Sequence, residues 1–137
     1  MRKKYKPNPE RQAKLRELAQ RLKNMTDAER EGFAERLGTV VNPDGHALTV
    51  RNACLLAMQA DRMDLTMVAG FKQWINSGRV VRKGEHSIGS IMVPMQVKPK
   101  DRNGAPTGEK PELRFRWVSV FDVTQTDTLE ARESDAA

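Results

Sequence analysis

The sequence predicts an α+β domain: a small, mainly antiparallel sheet with helices packed on one face, preceded by two amphipathic N-terminal helices. Three observations carry this expectation. Apolar residues recur at three- and four-residue spacing through the first sixty positions, they alternate with a period of two from Ile91 to Val97, and Gly- and Pro-containing turns separate the extended segments that follow Leu65.

The elements follow in order. Met1 to Lys6 is basic and poor in apolar residues, and is expected to be mobile. Asn8 can cap a helix that opens on Pro9, with Leu15, Leu18, Ala19 and Leu22 along one face and Arg, Lys and Gln on the other. Thr26-Asp27-Ala28-Glu29 is a capping-box pattern starting a second helix, which Gly38 ends. These two helices either lie on the domain or project from it. Asn42-Pro43-Asp44-Gly45 is a turn, and a third helix runs from about Thr49 to Asp61 with Val50, Ala53, Cys54, Leu56 and Ala57 on its apolar side. After an extended piece at Leu65 to Ala69, Phe71 to Asn76 reads as a short helix stopped by Gly78. Val80 and Val81 begin a strand, and Arg82-Lys83-Gly84-Glu85 is a tight turn that needs the backbone freedom of Gly84. Ile91, Val93, Met95 and Val97 alternate with Met92, Pro94 and Gln96, and Pro94 places that strand at an edge or a bulge. Lys100 to Pro111 is a long hairpin loop. Leu113 to Val123 returns as the longest strand.

Length and charge bound the function. The chain has 137 residues, room for one domain with a modest core, and no apolar run long enough to span a membrane. The start lacks the pattern of a signal peptide, so a cytoplasmic location is expected, with no membrane partner. Cys54 is the single cysteine and has no disulfide partner; among Ala53, Leu55, Leu56 and Ala57 it reads as a buried, inert thiol. Twenty-four Lys and Arg against eighteen Asp and Glu give a formal net charge of +6, which favours a polyanionic partner. Six of the cations fall between Lys98 and Arg116 and four between Lys72 and Lys83, whereas five of the last sixteen residues are acidic. The acidic end is expected to be a disordered tail.

The order of several motifs is more specific than any of them alone. Asn52 sits on an apolar helix and Gln59 near its end. There follow Gly70-Phe71-Lys72-Gln73-Trp74, Gly78-Arg79-Val80-Val81-Arg82-Lys83-Gly84-Glu85, a Pro-containing strand from Ile91 to Pro94, and Val120-Phe121-Asp122-Val123-Thr124-Gln125-Thr126. From about Leu48 to Thr126 this arrangement resembles the ArdC-like family, the N-terminal single-stranded-DNA-binding domain of the antirestriction protein ArdC. Ser90 to Val97 and the loop to Pro111 depart most from the pattern. Larger members carry a C-terminal metalloprotease-like domain with an H-E-x-x-H helix, and these 137 residues are expected to lack it. The resemblance divides the chain into a basic helical extension at 1–47, the ArdC-like domain at 48–126 and an acidic tail at 127–137.

A protein that holds single strands needs cations for phosphate and flat apolar side chains on which exposed bases stack. Arg79, Arg82 and Lys83 flank turns where side chains radiate, and Lys72 is close to them in sequence. Isolated cations on such turns are ordinarily solvated loop charges; the place of these four inside the matched motif favours a binding role instead. On the last strand, alternation puts Phe115 and Trp117 on one face and Arg114 and Arg116 on the other. Strand aromatics are more often core than platform. Phe71 and Phe121 are assigned to the core and Trp117 to stacking, with Trp74 open between the two roles. Asn52 and Gln59, seven residues apart on one helix side, either hydrogen-bond bases or tie a neighbouring loop to the helix. The nucleic-acid-binding candidates are therefore Asn52, Lys72, Trp74, Arg79, Arg82, Lys83, Arg114, Arg116 and Trp117.

Catalysis has little to stand on. His46 and His86 are the only histidines, neither Cys nor carboxylates give zinc spacing, and no P-loop is present, so no catalytic residue, metal ligand or cofactor is expected. Glu85-His86 on an exposed turn lacks the third, orienting group. The leading expectation is a non-enzymatic single-stranded-DNA-binding protein of a bacterial mobile element, plasmid or phage, with antirestriction or DNA protection implied by the resemblance. The alternatives are an inhibitor or adaptor module that binds a host defence or replication protein, and an RNA binder.

Overall fold

A computed structural model describes residues 8–131. The elements run α1 (Pro9–Asn24), α2 (Asp27–Leu37), α3 (Val50–Gln59), β1 (Val68–Gly70), α4 (Phe71–Asn76), β2 (Arg79–Val81), β3 (Gly89–Val97), β4 (Glu112–Asp122) and β5 (Thr126–Thr128). The basic start at Met1 to Lys6 and the tail residues 132–137 lie outside the described residues. Each long helix begins where a side chain satisfies its first free amides. Asn8 accepts from the backbone N–H of Glu10 and Arg11, Thr49 accepts from Asn52, and Thr26 and Glu29 form the reciprocal capping box. No helix among the described residues is long and apolar enough to cross a membrane.

The α+β architecture is as expected. One antiparallel sheet has the order β1-β4-β3, and β2 pairs with β5 in a second, two-stranded sheet. β3 and β4 form a long ribbon in register from Gly89↔Val120 to Val97↔Glu112. Pro94 falls on the edge strand, where its missing N–H interrupts no ladder. The segment 121–126 is not one continuous strand, however. Asp122 accepts from the Thr124 amide and hydroxyl, which turns the chain through a 3-10 turn at Val123–Gln125 before β5. Asp127 and Thr128, at the head of the expected tail, are consequently paired with Val80 and Arg79.

The main core lies between α2, α3 and one face of the ribbon, and includes Leu37, Ala53, Leu56, Ile91 and Val120. α1 and α2 lie on the domain. α1 also reaches the opposite face: Leu22 clusters with Cys54, Leu55, Met92 and Trp117, and the Arg11 guanidinium donates to the Ser90 and Ser119 hydroxyls at 3.2 and 2.8 Å. α3 thus stands beside the free edge of β3 and serves both faces. Two amides fasten it there. Asn52 donates to the Met92 carbonyl at 2.9 Å and accepts from the Met92 N–H at 3.0 Å; Gln59 exchanges the same pair with Ser90 at 2.7 and 2.9 Å. The helix side chains replace a neighbouring strand at those two positions. Cys54 is fully buried, and burial pushes its thiol pKa up against the opposing influence of Arg30 and Arg21.

Candidate nucleic-acid interface

Gly70 sets the geometry of the exposed surface. It ends β1 after three residues opposite Val120 and starts α4, and a Cβ on it would lie 2.9 Å from Val118 Cγ1. A side chain at this position would have to push Val118 aside for the backbone to turn off the sheet that closely. β1 stops there, so the outer edge of β4 from Ser119 back to Leu113 has no partner strand. In its place lies an open groove between β4 and the start of α4, about 400 Å³ in volume, lined by Phe71, Lys72, Gln73, Val93, Arg116 and Val118 among others. A second depression of about 240 Å³ continues from it over Val93, Ile91 and Val120 to the Asn42–Thr49 turn.

Phe71 is half-exposed, at 50%, and Lys72 beside it is exposed. They are held by Trp74, which is 1% exposed, packs with Ala69 and Val81, and donates its indole N–H to the Phe121 carbonyl at 2.9 Å. The two aromatic assignments are therefore corrected. Trp74 is core and cannot stack on a base, whereas Phe71, assigned to the core from sequence, is the ring that faces solvent. A six-residue helix with one buried face leaves its other residues outside, and Trp74 alone occupies that face. Trp117 is half-buried against the Leu22, Cys54 and Leu55 cluster, although it also borders the groove. Phe115, on the same strand face, is 56% exposed beyond the reach of α1.

The cations divide in the same way. Arg114 and Arg116 are exposed; Arg114 pairs with Glu112 at 3.0 Å, and Arg116 forms no ion pair among the described residues. On β2, Arg79 donates to the Thr126 hydroxyl at 2.7 Å and to its carbonyl at 3.2 Å. Arg82 donates to the carbonyls of Thr124 and Thr126 and pairs with Asp127 at 3.3 Å. Both arginines hold the 3-10 turn and β5 against β2. Gly84, at φ 89°, makes the turn possible, and Lys83 is the exposed cation of that group. Neither Arg79, Arg82 nor Lys83 lines the groove with Lys72 and Arg116. Asn52 lines its second depression, but both halves of its amide are engaged by Met92.

Sequence reasoning missed Gln73, Val93 and Phe71 as groove residues. The available signal was Gly70: a glycine directly before a helix and directly after a buried strand marks close backbone approach. Among the described residues no cluster of His, Cys, Asp or Glu is arranged to hold a metal ion.

The architecture and groove define a class: a small α+β domain whose truncated strand leaves a cationic and aromatic channel along a sheet edge. A family model described as the N-terminal domain of anti-restriction factor ArdC matches residues 10–123, and the chain belongs to that family. The match takes in nearly all of α1, all of α2 and the part recognised from motifs up to residue 123. Among solved structures, the chain is similar to the antirestriction ArdC protein from the R388 plasmid. The metal-free form aligns at 19% identity and a TM-score of 0.49, over 76% of this chain and 43% of that one. The Mn(II)-bound form aligns at 20% identity and a TM-score of 0.44, over 76% and 41%. The chain thus spans less than half the length of those structures. Comparison with curated proteins finds no match.

Proposed function

We propose that this domain is a non-enzymatic, cytoplasmic single-stranded-DNA-binding module with an antirestriction or DNA-protecting role in a bacterial mobile element or phage. One observation carries the reading: the half-exposed Phe71 ring stands beside Lys72, across an open groove from Arg116, with Val93 and Val118 as an apolar floor. A base stacks on the ring and the neighbouring phosphates meet the cations, a combination that tolerates any sequence. A duplex hides its base faces, and the groove presents no helix for a major groove. The proposal predicts tighter binding to single strands than to duplex of equal length, with a log-log salt slope of roughly −2 to −4 for about three to five neutralised phosphates. Titrating single-stranded DNA, duplex DNA and RNA of one length at two salt concentrations tests it. Equal duplex binding, or no salt dependence, overturns it, and tighter RNA binding reassigns the substrate.

The unpaired edge of β4 supports a second reading. An extended segment of a host defence or replication protein would add to that edge as a strand. In that case the titration shows no nucleic-acid binding at all.

A further inference from the structure

On the opposite side of the molecule lies a second concavity, about 450 Å³ in volume, lined by Ala19, Leu22, Lys23, Arg30, Arg51 and Met92. Three of the six residues are cations and none is a carboxylate. Arg30 is built in: its side chain is 15% exposed, it donates to the last carbonyls of α1 at Leu22 (2.9 Å) and Lys23 (3.3 Å), and it pairs with the outlying Asp27 at 2.7 Å. Lys23 and Arg51 are exposed and form no ion pair among the described residues. The depression is therefore a fixed guanidinium flanked by two free cations over an apolar floor.

Two pairs of sequence neighbours connect it to the first groove. Met92 lines the cationic depression while Val93 lines the groove, because successive residues of β3 point to opposite sheet faces. Arg51 lines the cationic depression and Asn52 the smaller depression that continues from the groove, both from the first turn of α3. The two surfaces thus meet around the edge of β3 at Pro94, just past the Asn52 amide that closes the edge at Met92; Pro94 is exposed and presents no N–H.

We infer that the Lys23, Arg30 and Arg51 depression is a second phosphate-binding site, reached by a single strand that leaves the Phe71 groove and bends around the β3 edge. The inference rests on the single-stranded-DNA reading above for its ligand. A short strand occupies the groove alone; a longer one engages both faces of the sheet. Such a path raises the number of phosphates neutralised without adding sequence readout.

The test compares oligothymidylates of roughly six and roughly twenty nucleotides, lengths that bracket the site sizes of small single-strand binders. Lys23→Ala combined with Arg51→Ala is expected to weaken the long strand about tenfold at low salt and to reduce its salt slope by roughly one to two units. The short strand should bind as before. Arg30 is left intact because it caps α1, and Lys23→Gln with Arg51→Gln serves as a second variant if the first melts early. Unchanged long-strand affinity, or equal weakening of both lengths, overturns the inference. If neither length binds the unaltered protein, the single-strand reading has failed, and inorganic tripolyphosphate followed by NMR decides the depression on its own. Shifts at Lys23, Arg30 and Arg51 that the double substitution abolishes keep an anion site there; their absence removes it.

Discussion

The Arg79 to Gly84 turn and the Phe71 groove carry the same kinds of residue and put them to opposite uses. In the turn, two arginines cross to β5 and bind its carbonyls, so their charge stabilises the chain's own backbone. In the groove, Lys72 and Arg116 have no such acceptors among the described residues and face an unfilled strand position. Both regions carry exposed cations. What separates them is whether orphan carbonyls lie within reach, as they do wherever a short 3-10 turn leaves its acceptors unpaired. A cluster of cations in a family motif can therefore be the part that holds the motif together.

The sharpest way to break this comparison is through the aromatic pair. Trp74→Ala removes a fully buried indole and its hydrogen bond and should destabilise the fold by about 3–5 kcal/mol, read by chemical denaturation. Phe71→Ala should leave that transition almost where it was and instead cost about 1–3 kcal/mol of single-strand affinity. If the two variants exchange these behaviours, the assignment of core and platform is reversed. Arg82→Ala is the next test. Loss of its carbonyl hydrogen bonds should lower stability by about 1–2 kcal/mol, with the salt slope of DNA binding unaltered. Lys72→Ala with Arg116→Ala should do the converse, reducing the slope by roughly one to two units at constant stability. A lower slope in the Arg82 variant would return the turn to the binding surface.

The smallest expected effect lies away from both regions. Backbone and side-chain hydrogen bonds from Thr26 hold the Glu29 carboxyl below its ordinary pKa in the folded chain. A lowered folded pKa means that the stabilisation is present above the unfolded carboxylate range and is lost as pH falls through the folded value. Thr26→Ala should flatten the acid limb of a stability–pH profile, with little change in its shape at neutral pH.

Much of this fold was legible from local chemistry. The caps at Asn8 and Thr26, the start of the third helix near Thr49 and the alternation around Pro94 act over a few residues, and each appears where the sequence placed it. The 3-10 turn at Val123–Gln125 was not legible, because it depends on Asp122 meeting Thr66 from a distant segment as well as Thr124 beside it. The candidate interface was half legible. Lys72 and Arg116 stood among the candidates, but their separation from Arg79 and Arg82 depends on which strand lies opposite. Periodicity reports that a side chain has a buried face available. It does not report what else competes for that face, and in α4 Trp74 excludes Phe71 from the core.

The amide clamp of α3 sets a limit on assembly. Ser90 and Met92 have their outward backbone groups satisfied by Gln59 and Asn52, and the next outward position is Pro94, so that border of the sheet offers three successive sites at which another chain cannot dock by main-chain pairing. In this sheet, strand addition remains open along β4. A sheet closed in this way along one border takes up a further strand on the other, so growth through this sheet runs in one direction from β4.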